Sequence, residues 1–213
     1  MEIISTVNQI LLLLTITGQV ILAVLIVSFL TRQSRILKLF AKHALVFSFT
    51  VTLVATLGSL FYSEVAGYEP CKLCWFQRIL MYPQVILLGM ALLKKDNSIV
   101  PYSIVLSVLG VLIAGYHYLL QLGIVPSIGC SAVGYSISCS QRFIMGFGYI
   151  TIPMMSLTAF LLIISFMLSL KLNKYSCPIC HFKYKDSQWA EKCEAWCKEH
   201  HTCNVEIIKH AVQ

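Results

Sequence analysis

Five long apolar stretches, separated by short polar ones, leave this chain few ways to fold. They run from Ile3 to Leu30, about His43 to Tyr62, Trp75 to Leu93, about Ile99 to Leu122 and about Gly146 to Leu170. A bilayer core takes about 20 helical residues to cross. Within it a segment must satisfy its own backbone polar groups, which a helix does. At 58% hydrophobic and 12% charged residues, the sequence has too little polar surface to cover such stretches in water. The expected fold class is an all-α membrane protein. The first stretch lacks a basic n-region, is too long for a signal peptide and has no small-x-small cleavage site after it, so it reads as a retained helix.

The net charge of +7 is a topology signal rather than a sign of a nucleic-acid partner, because the cations flank the apolar stretches. Arg32, Arg35, Lys38, Lys42, Lys94, Lys95, Lys171 and Lys174 follow the first, third and fifth stretches. Only Lys72, Arg78 and Arg142 follow the second and fourth. The positive-inside rule then puts the first group in the cytoplasm and the N-terminus outside. Glu2, with no base nearby, agrees. Segment 32–42 reads as a basic loop.

Nine cysteines fall into three groups. Cys71 and Cys74 sit where an outer loop enters the third stretch, Cys130 and Cys139 lie in the next outer loop, and five occupy the tail. Both early pairs are expected on the oxidising side. Free N–H groups and the positive end of a helix dipole lower a thiol's pKa at such a position, and the thiolate is the reactive form. Cys74, nearer the first helical turn, is expected to gain most. A structural disulfide or half a metal site would also fit a bare C-x-x-C. Arg78 lies one turn deeper on the same helical face as Cys74, where a cation is costly unless it snorkels or has a partner. It could serve as a donor to a bound electron acceptor.

The run Cys71-Lys72-Leu73-Cys74-Trp75-Phe76-Gln77-Arg78 resembles the C-x-x-C-x-x-x-R signature of the disulfide bond formation protein B (DsbB/BdbC) family. His117-Tyr118-Leu119-Leu120-Gln121-Leu122 is similar to that family's segment near its quinone, and Gly148-Tyr149-Ile150-Thr151-Ile152-Pro153 resembles the start of its last helix. The likeness covers about His43 to Leu170, four helices of five. It implies a four-helix bundle carrying a relay in which each thiolate attacks the next disulfide. A reduced partner, a DsbA/BdbD-like thioredoxin-fold thiol oxidase, would attack Cys130. The freed Cys139 would attack Cys71, and Cys74 would face a quinone (ubiquinone or menaquinone) polarised by Arg78. His117 and Gln121 would neighbour the quinone, although either could simply be a satisfied helix-end residue. Only eight residues separate Cys130 from Cys139, the short loop of the BdbC-like branch. The first helix is additional to the family pattern.

From Tyr175 the composition turns polar. Cys177-x2-Cys180, twelve residues, then Cys193-x3-Cys197 is a zinc-ligand spacing, with Cys203, His200 or His201 as possible substitutes. Tyr175 and Tyr184 fall at aromatic core positions of a finger, and Ser187 to His200 reads as a helix with Ser187 at its N-cap. So short a segment gains from a metal staple. The expected division is 1–42, an additional transmembrane helix and basic loop; 43–174, the four-helix membrane domain; and 175–213, a cytoplasmic zinc-finger-like tail. Two other readings compete. A vitamin K epoxide reductase-like quinone reductase is disfavoured because its C-x-x-C is expected after the loop pair. A membrane sensor or scaffold would use the same cysteines as structural staples.

Overall fold

The structure is a computed structural model that describes residues 2–31, 34–94, 96–126, 138–174, 177–184 and 187–212. Cys130, Arg32, Lys95 and Tyr175 lie outside the described residues, as do the side chains of Arg35, Lys38, Lys174 and Ser187. Among the described residues, five helices are long and apolar enough to cross a membrane. They are α1 (Glu2–Leu30), α3 (Ala44–Leu60), α4 (Lys72–Lys94), α5 (Val100–Gln121) and α6 (Ile152–Lys174). A short helix α2 (Ser34–Lys42) joins α1 to α3.

The bundle is built around α6. Over half of its spanning window is buried (56%), against 17% for α1, so α6 is the hub and α1 a peripheral stave. Phe160, Ile163 and Met167 of α6 meet Met81 and Leu88 of α4 and Ala114 of α5 in the main core. The Phe160 ring lies against Gly110, where any Cβ would collide with it, so glycine sets how closely α5 approaches α6. Leu13, Ile79, Ile86 and Leu112 point outward, as residues facing acyl chains would. Polar side chains clasp the helices from inside: Gln84, fully buried, accepts from Ser103 Oγ (2.8 Å) and Ser107 Oγ (3.2 Å) and donates to the Leu80 carbonyl. Interhelical hydrogen bonds of this kind hold bundles together where lipid supplies no hydrophobic drive.

Two boundaries differ from the expectations. Segment 34–42 is a helix rather than a loop, because Leu37, Phe40 and Ala41 recur at helical spacing and dock inward, with Phe40 stacking on Phe166 at 5.9 Å. The last helix begins at Ile152, not Gly146. Gly146 and Ile150 exchange backbone hydrogen bonds across a tight turn in which Phe147 and Gly148 adopt positive φ. Pro153 then falls in the first helical turn, where its missing N–H costs nothing. The tail helix runs from Ser187 to His200, the expected bounds.

α3 does not end cleanly. Over Phe61–Val65 it widens into a π turn, with the Ala66 N–H bonded to the Phe61 carbonyl. The tail is a separate small cluster. β1 (Lys183–Tyr184) pairs antiparallel with β2 (Ala211–Val212), and between them lie α7 (Ser187–His200) and the short α8 (Val205–Ile208).

Candidate redox site

The Cys71 carbonyl accepts the Trp75 N–H, the first helical bond of α4, so Cys71 caps the helix and Cys74 sits in its first turn. Cys71 is buried and Cys74 half-buried. Their sulfurs are 3.3 Å apart as two thiols sharing a hydrogen bond, well beyond a disulfide bond length of about 2.05 Å.

His117, from the outer end of α5, connects this pair to the next cysteine. Its Nε2 is 3.1 Å from the Cys139 carbonyl oxygen and 3.7 Å from Cys71 Sγ. A carbonyl can only accept, so Nε2 carries the proton. In the neutral ring Nδ1 is then an acceptor, and Gln77 Nε2 donates to it at 3.0 Å. Cys139 is disulfide-bonded and packs with Cys71 and Leu120 in one buried cluster. Gln121 Nε2 donates to the Gln141 carbonyl at 3.0 Å, and Arg142 donates through Nε and Nη2 to the Gln121 carbonyl. His117 and Gln121 thus hold the Cys139 segment onto α5. With Cys71 and Cys74 they border a space of about 20 Å³, room for about one water.

Of the Cys71–Cys74 pair, Cys71 lies outside the spans, and its thiol is lowered. The hydrogen bond shared with Cys74 and then the nearby His117 hold it down to about 4, against the opposing effect of burial. The dipole argument alone favours Cys74; an imidazole N–H arriving from α5 at Cys71 lies beyond a reading of α4 by itself.

On the other side of Cys74 lies a far larger space. A cavity of about 310 Å³ runs between α1, α3, α4 and α6, with Cys74, Gln77, Arg78, Ser59 and Tyr62 at one end. Arg78 does not snorkel freely: Nε donates to Ser59 Oγ and Nη2 to the Ser59 carbonyl, both at 2.9 Å, and its guanidinium lies 5.4 Å from the Trp75 ring centroid. Among the described residues no carboxylate pairs with it. Tyr62 is buried and its hydroxyl has no partner among them. Arg78 therefore lines this cavity, whereas His117 and Gln121 do not. Gln77, Ser59 and Tyr62 were not singled out from the sequence. The available signal was a polar side chain inside an apolar helix, which Gln77 carries plainly and Ser59 and Tyr62 hardly at all.

The family model described as "Disulfide bond formation protein DsbB" matches residues 41–170. The chain belongs to this family. "Disulfide bond formation protein C" of Bacillus subtilis is 44% identical over 137 residues, covering 62% of this chain and 98% of that protein. The "Probable disulfide formation protein" of Coxiella burnetii is 42% identical over 137 residues, 63% of this chain and 89% of the relative. The "SPbeta prophage-derived disulfide bond formation protein B" of Bacillus subtilis is 41% identical over 124 residues, 58% and 82%. No solved structure matches the chain. As a DsbB-family protein this chain is a multi-pass membrane thiol–disulfide oxidoreductase. The matched region holds α3 to α6 with both early cysteine pairs, while α1 and the tail lie outside it.

The tail brings a second sulfur cluster together. The Sγ atoms of Cys177, Cys180, Cys193 and Cys197 all lie within 4.8 Å of one another. Cys180 to Cys193 is 3.4 Å and Cys193 to Cys197 is 3.9 Å. Four thiolates about 2.3 Å from a tetrahedral zinc would stand about 3.8 Å apart. The first pair comes from a turn in which the Cys177 N–H bonds the Phe182 carbonyl and His181 takes a positive φ. The second comes from one face of α7. Tyr184 and Ala190 pack against the cluster, Cys203 is exposed, and the exposed His200 stacks on Trp196 instead.

The lowered Cys71 thiol sets a pH dependence. A depressed thiol is an anion above its folded value and regains its proton only as pH falls through it. The ultraviolet thiolate absorbance of reduced protein that is lost in Cys71→Ser should therefore persist through neutral pH and disappear near pH 4. His117→Ala should raise that midpoint by about 1 unit. A wild-type midpoint near the ordinary thiol value of about 8.5 contradicts the geometry.

Proposed function

We propose that this chain is a quinone-dependent oxidase that regenerates an extracytoplasmic DsbA/BdbD-like thioredoxin-fold dithiol oxidase. The observation that carries the reading is the position of Cys74, which borders the arginine-lined cavity on one side and the Cys71–His117–Cys139 cluster on the other. The cavity suits a quinone ring. Arg78 and the orphaned Tyr62 hydroxyl are donors for carbonyl oxygens, and a buried donor left unpaired costs about 1–3 kcal/mol. A bound ubiquinone or menaquinone supplies a sink for two electrons and two protons.

The protein's own residues do the rest. A thiolate of the reduced partner attacks Cys130, breaking its bond to Cys139. The partner's second thiol then closes its own disulfide and releases Cys130. Cys139 attacks Cys71 of the oxidised inner pair and releases Cys74 as a thiolate beside Arg78. Cys130 re-forms its bond to Cys139 and frees Cys71, leaving the inner pair reduced. His117 is the positioning residue, holding the Cys139 backbone against Cys71 and stabilising the Cys71 anion. Stabilising the reduced inner pair makes it more oxidising, hence a better acceptor of electrons from the loop pair. The charge bias supports placing both pairs outside and the tail in the cytoplasm. There the four tail cysteines would hold structural zinc, an ion for which a reducing compartment leaves thiolates free. The vitamin K epoxide reductase-like and sensor readings gain no observation of their own.

Three experiments check this. Purified protein with quinone should oxidise a reduced thioredoxin-fold partner, Cys74→Ser should abolish turnover, and Arg78→Met should raise the quinone KM by about tenfold or more. Cys139→Ser should trap the partner on Cys130; undiminished turnover in Cys74→Ser would sink the relay. Protein purified without chelator should carry one zinc per chain, lost in Cys193→Ser while partner oxidation persists. A metal-free tail with four freely titrating thiols would exclude the zinc centre.

A further inference from the structure

The first helix belongs to the cavity wall although it lies outside the family match. Leu11, Leu14, Thr15, Gly18 and Ile21 of α1 line it opposite α3 and α6. The contact is built rather than casual. A Cβ on Gly18 would stand 3.0 Å from Leu162 and 3.4 Å from Thr158, so α1 closes tightly on α6 there. Leu11 comes within 3.3 Å of where a Cβ on Gly58 of α3 would be. Gln19, a polar residue inside an apolar helix, accepts from Tyr149 Oη at 2.7 Å and so ties α1 to the turn before α6. These contacts run α1 antiparallel to α3, with Leu11 near the Cys74 end and Leu25 packed with Ala44 and Phe166 at the other.

The space this encloses has an elongated shape and two characters. Tyr62, Arg78 and Cys74 form a polar end, and Val51, Phe47, Ile21 and Phe166 an apolar one. From Phe47 to Tyr62 the helix rise alone covers about 20 Å of membrane depth. A quinone ring occupies only the polar end. The remainder has the apolar lining of a slot for a flexible hydrocarbon chain, continuous with the redox end.

We propose that α1 is the fourth wall of the acceptor site and that it selects quinones by their polyprenyl tail, which lies along α1 between α3 and α6. The proposal rests on the quinone reading of Cys74 and Arg78 and adds a determinant that a four-helix bundle lacks. It predicts that the tail adds to the affinity through close packing along α1, because lipid supplies no hydrophobic drive of its own.

The test compares polyprenyl menaquinone and ubiquinone with menadione, the tail-less ring, on full-length protein in lipid nanodiscs. Leu14→Trp and Ile21→Trp fill the apolar part of the slot; Val20→Trp, on the same helix but outside the lining, is the control. Equilibrium binding, measured by co-purified and titrated quinone, should weaken about tenfold or more for the polyprenyl forms in both fillers and stay unchanged in the control. Turnover with menadione should be retained by all three, which also reports that they fold. Should a tryptophan prevent folding, Leu14→Phe should give a smaller shift of the same sign. Unchanged polyprenyl affinity in folded fillers overturns the role of α1 and leaves the quinone reading standing. Wild-type protein that binds neither menaquinone, ubiquinone nor menadione overturns both.

Discussion

The site depends on one imidazole whose hydrogen-bonding options are nearly exhausted. His117 Nε2 faces the Cys139 carbonyl, which can only accept, and Gln77 occupies Nδ1. The ring is thereby held in one tautomer and one orientation, with its N–H at the junction between Cys71 and Cys139. Such a network is affordable at the membrane edge because every member finds a partner within the protein, and a half-satisfied one would be worse than an apolar packing. Thiol exchange needs sulfurs brought together without competing water. The small space around Cys71, Cys74 and His117 has room for about one water, so bulk solvent is kept from these sulfurs.

Cys74 divides two environments with opposite requirements. Towards Cys139 the protein is closed, and His117 is paired with both Gln77 and the Cys139 carbonyl. Towards α1 and α3 it is open, largely apolar, and furnished at one end with a cation and an unpartnered phenol. The π turn at Phe61–Val65 belongs to this second environment, since it begins two residues after Ser59, the residue that holds Arg78, and contains Tyr62. Turns of this type often mark functional sites. Arg78 is thus tethered by one serine rather than neutralised by a carboxylate, which leaves its charge available to a ligand.

Much of this was legible in the sequence. Span length and the clustering of Lys and Arg gave the five helices, because both follow from the cost of burying polar groups in lipid. The C-x-x-C and the arginine four residues after Cys74 lie on one helix, so spacing alone places them together. What escaped were contacts between helices. The amphipathic α2 carries so many cations that it reads as a loop, yet Leu37, Phe40 and Ala41 dock it. The contact between His117 and the Cys139 carbonyl joins α5 to a loop, so no spacing along either segment announces it. Tyr62 and Ser59 look like ordinary residues near the end of a span, and only the packing of α3 on α4 reveals them. The tail was more readable, because its cysteine spacing encodes a local geometry rather than a tertiary one.

The most direct measurement is a single anaerobic turnover. Protein with a reduced Cys71–Cys74 pair is mixed with quinone, and quinol absorbance and the inner disulfide are followed together. The account predicts one quinol formed per inner disulfide, both appearing at the same rate and both absent in Cys74→Ser. An inner disulfide that forms without quinol, or quinol that forms in the absence of Cys74, would contradict it.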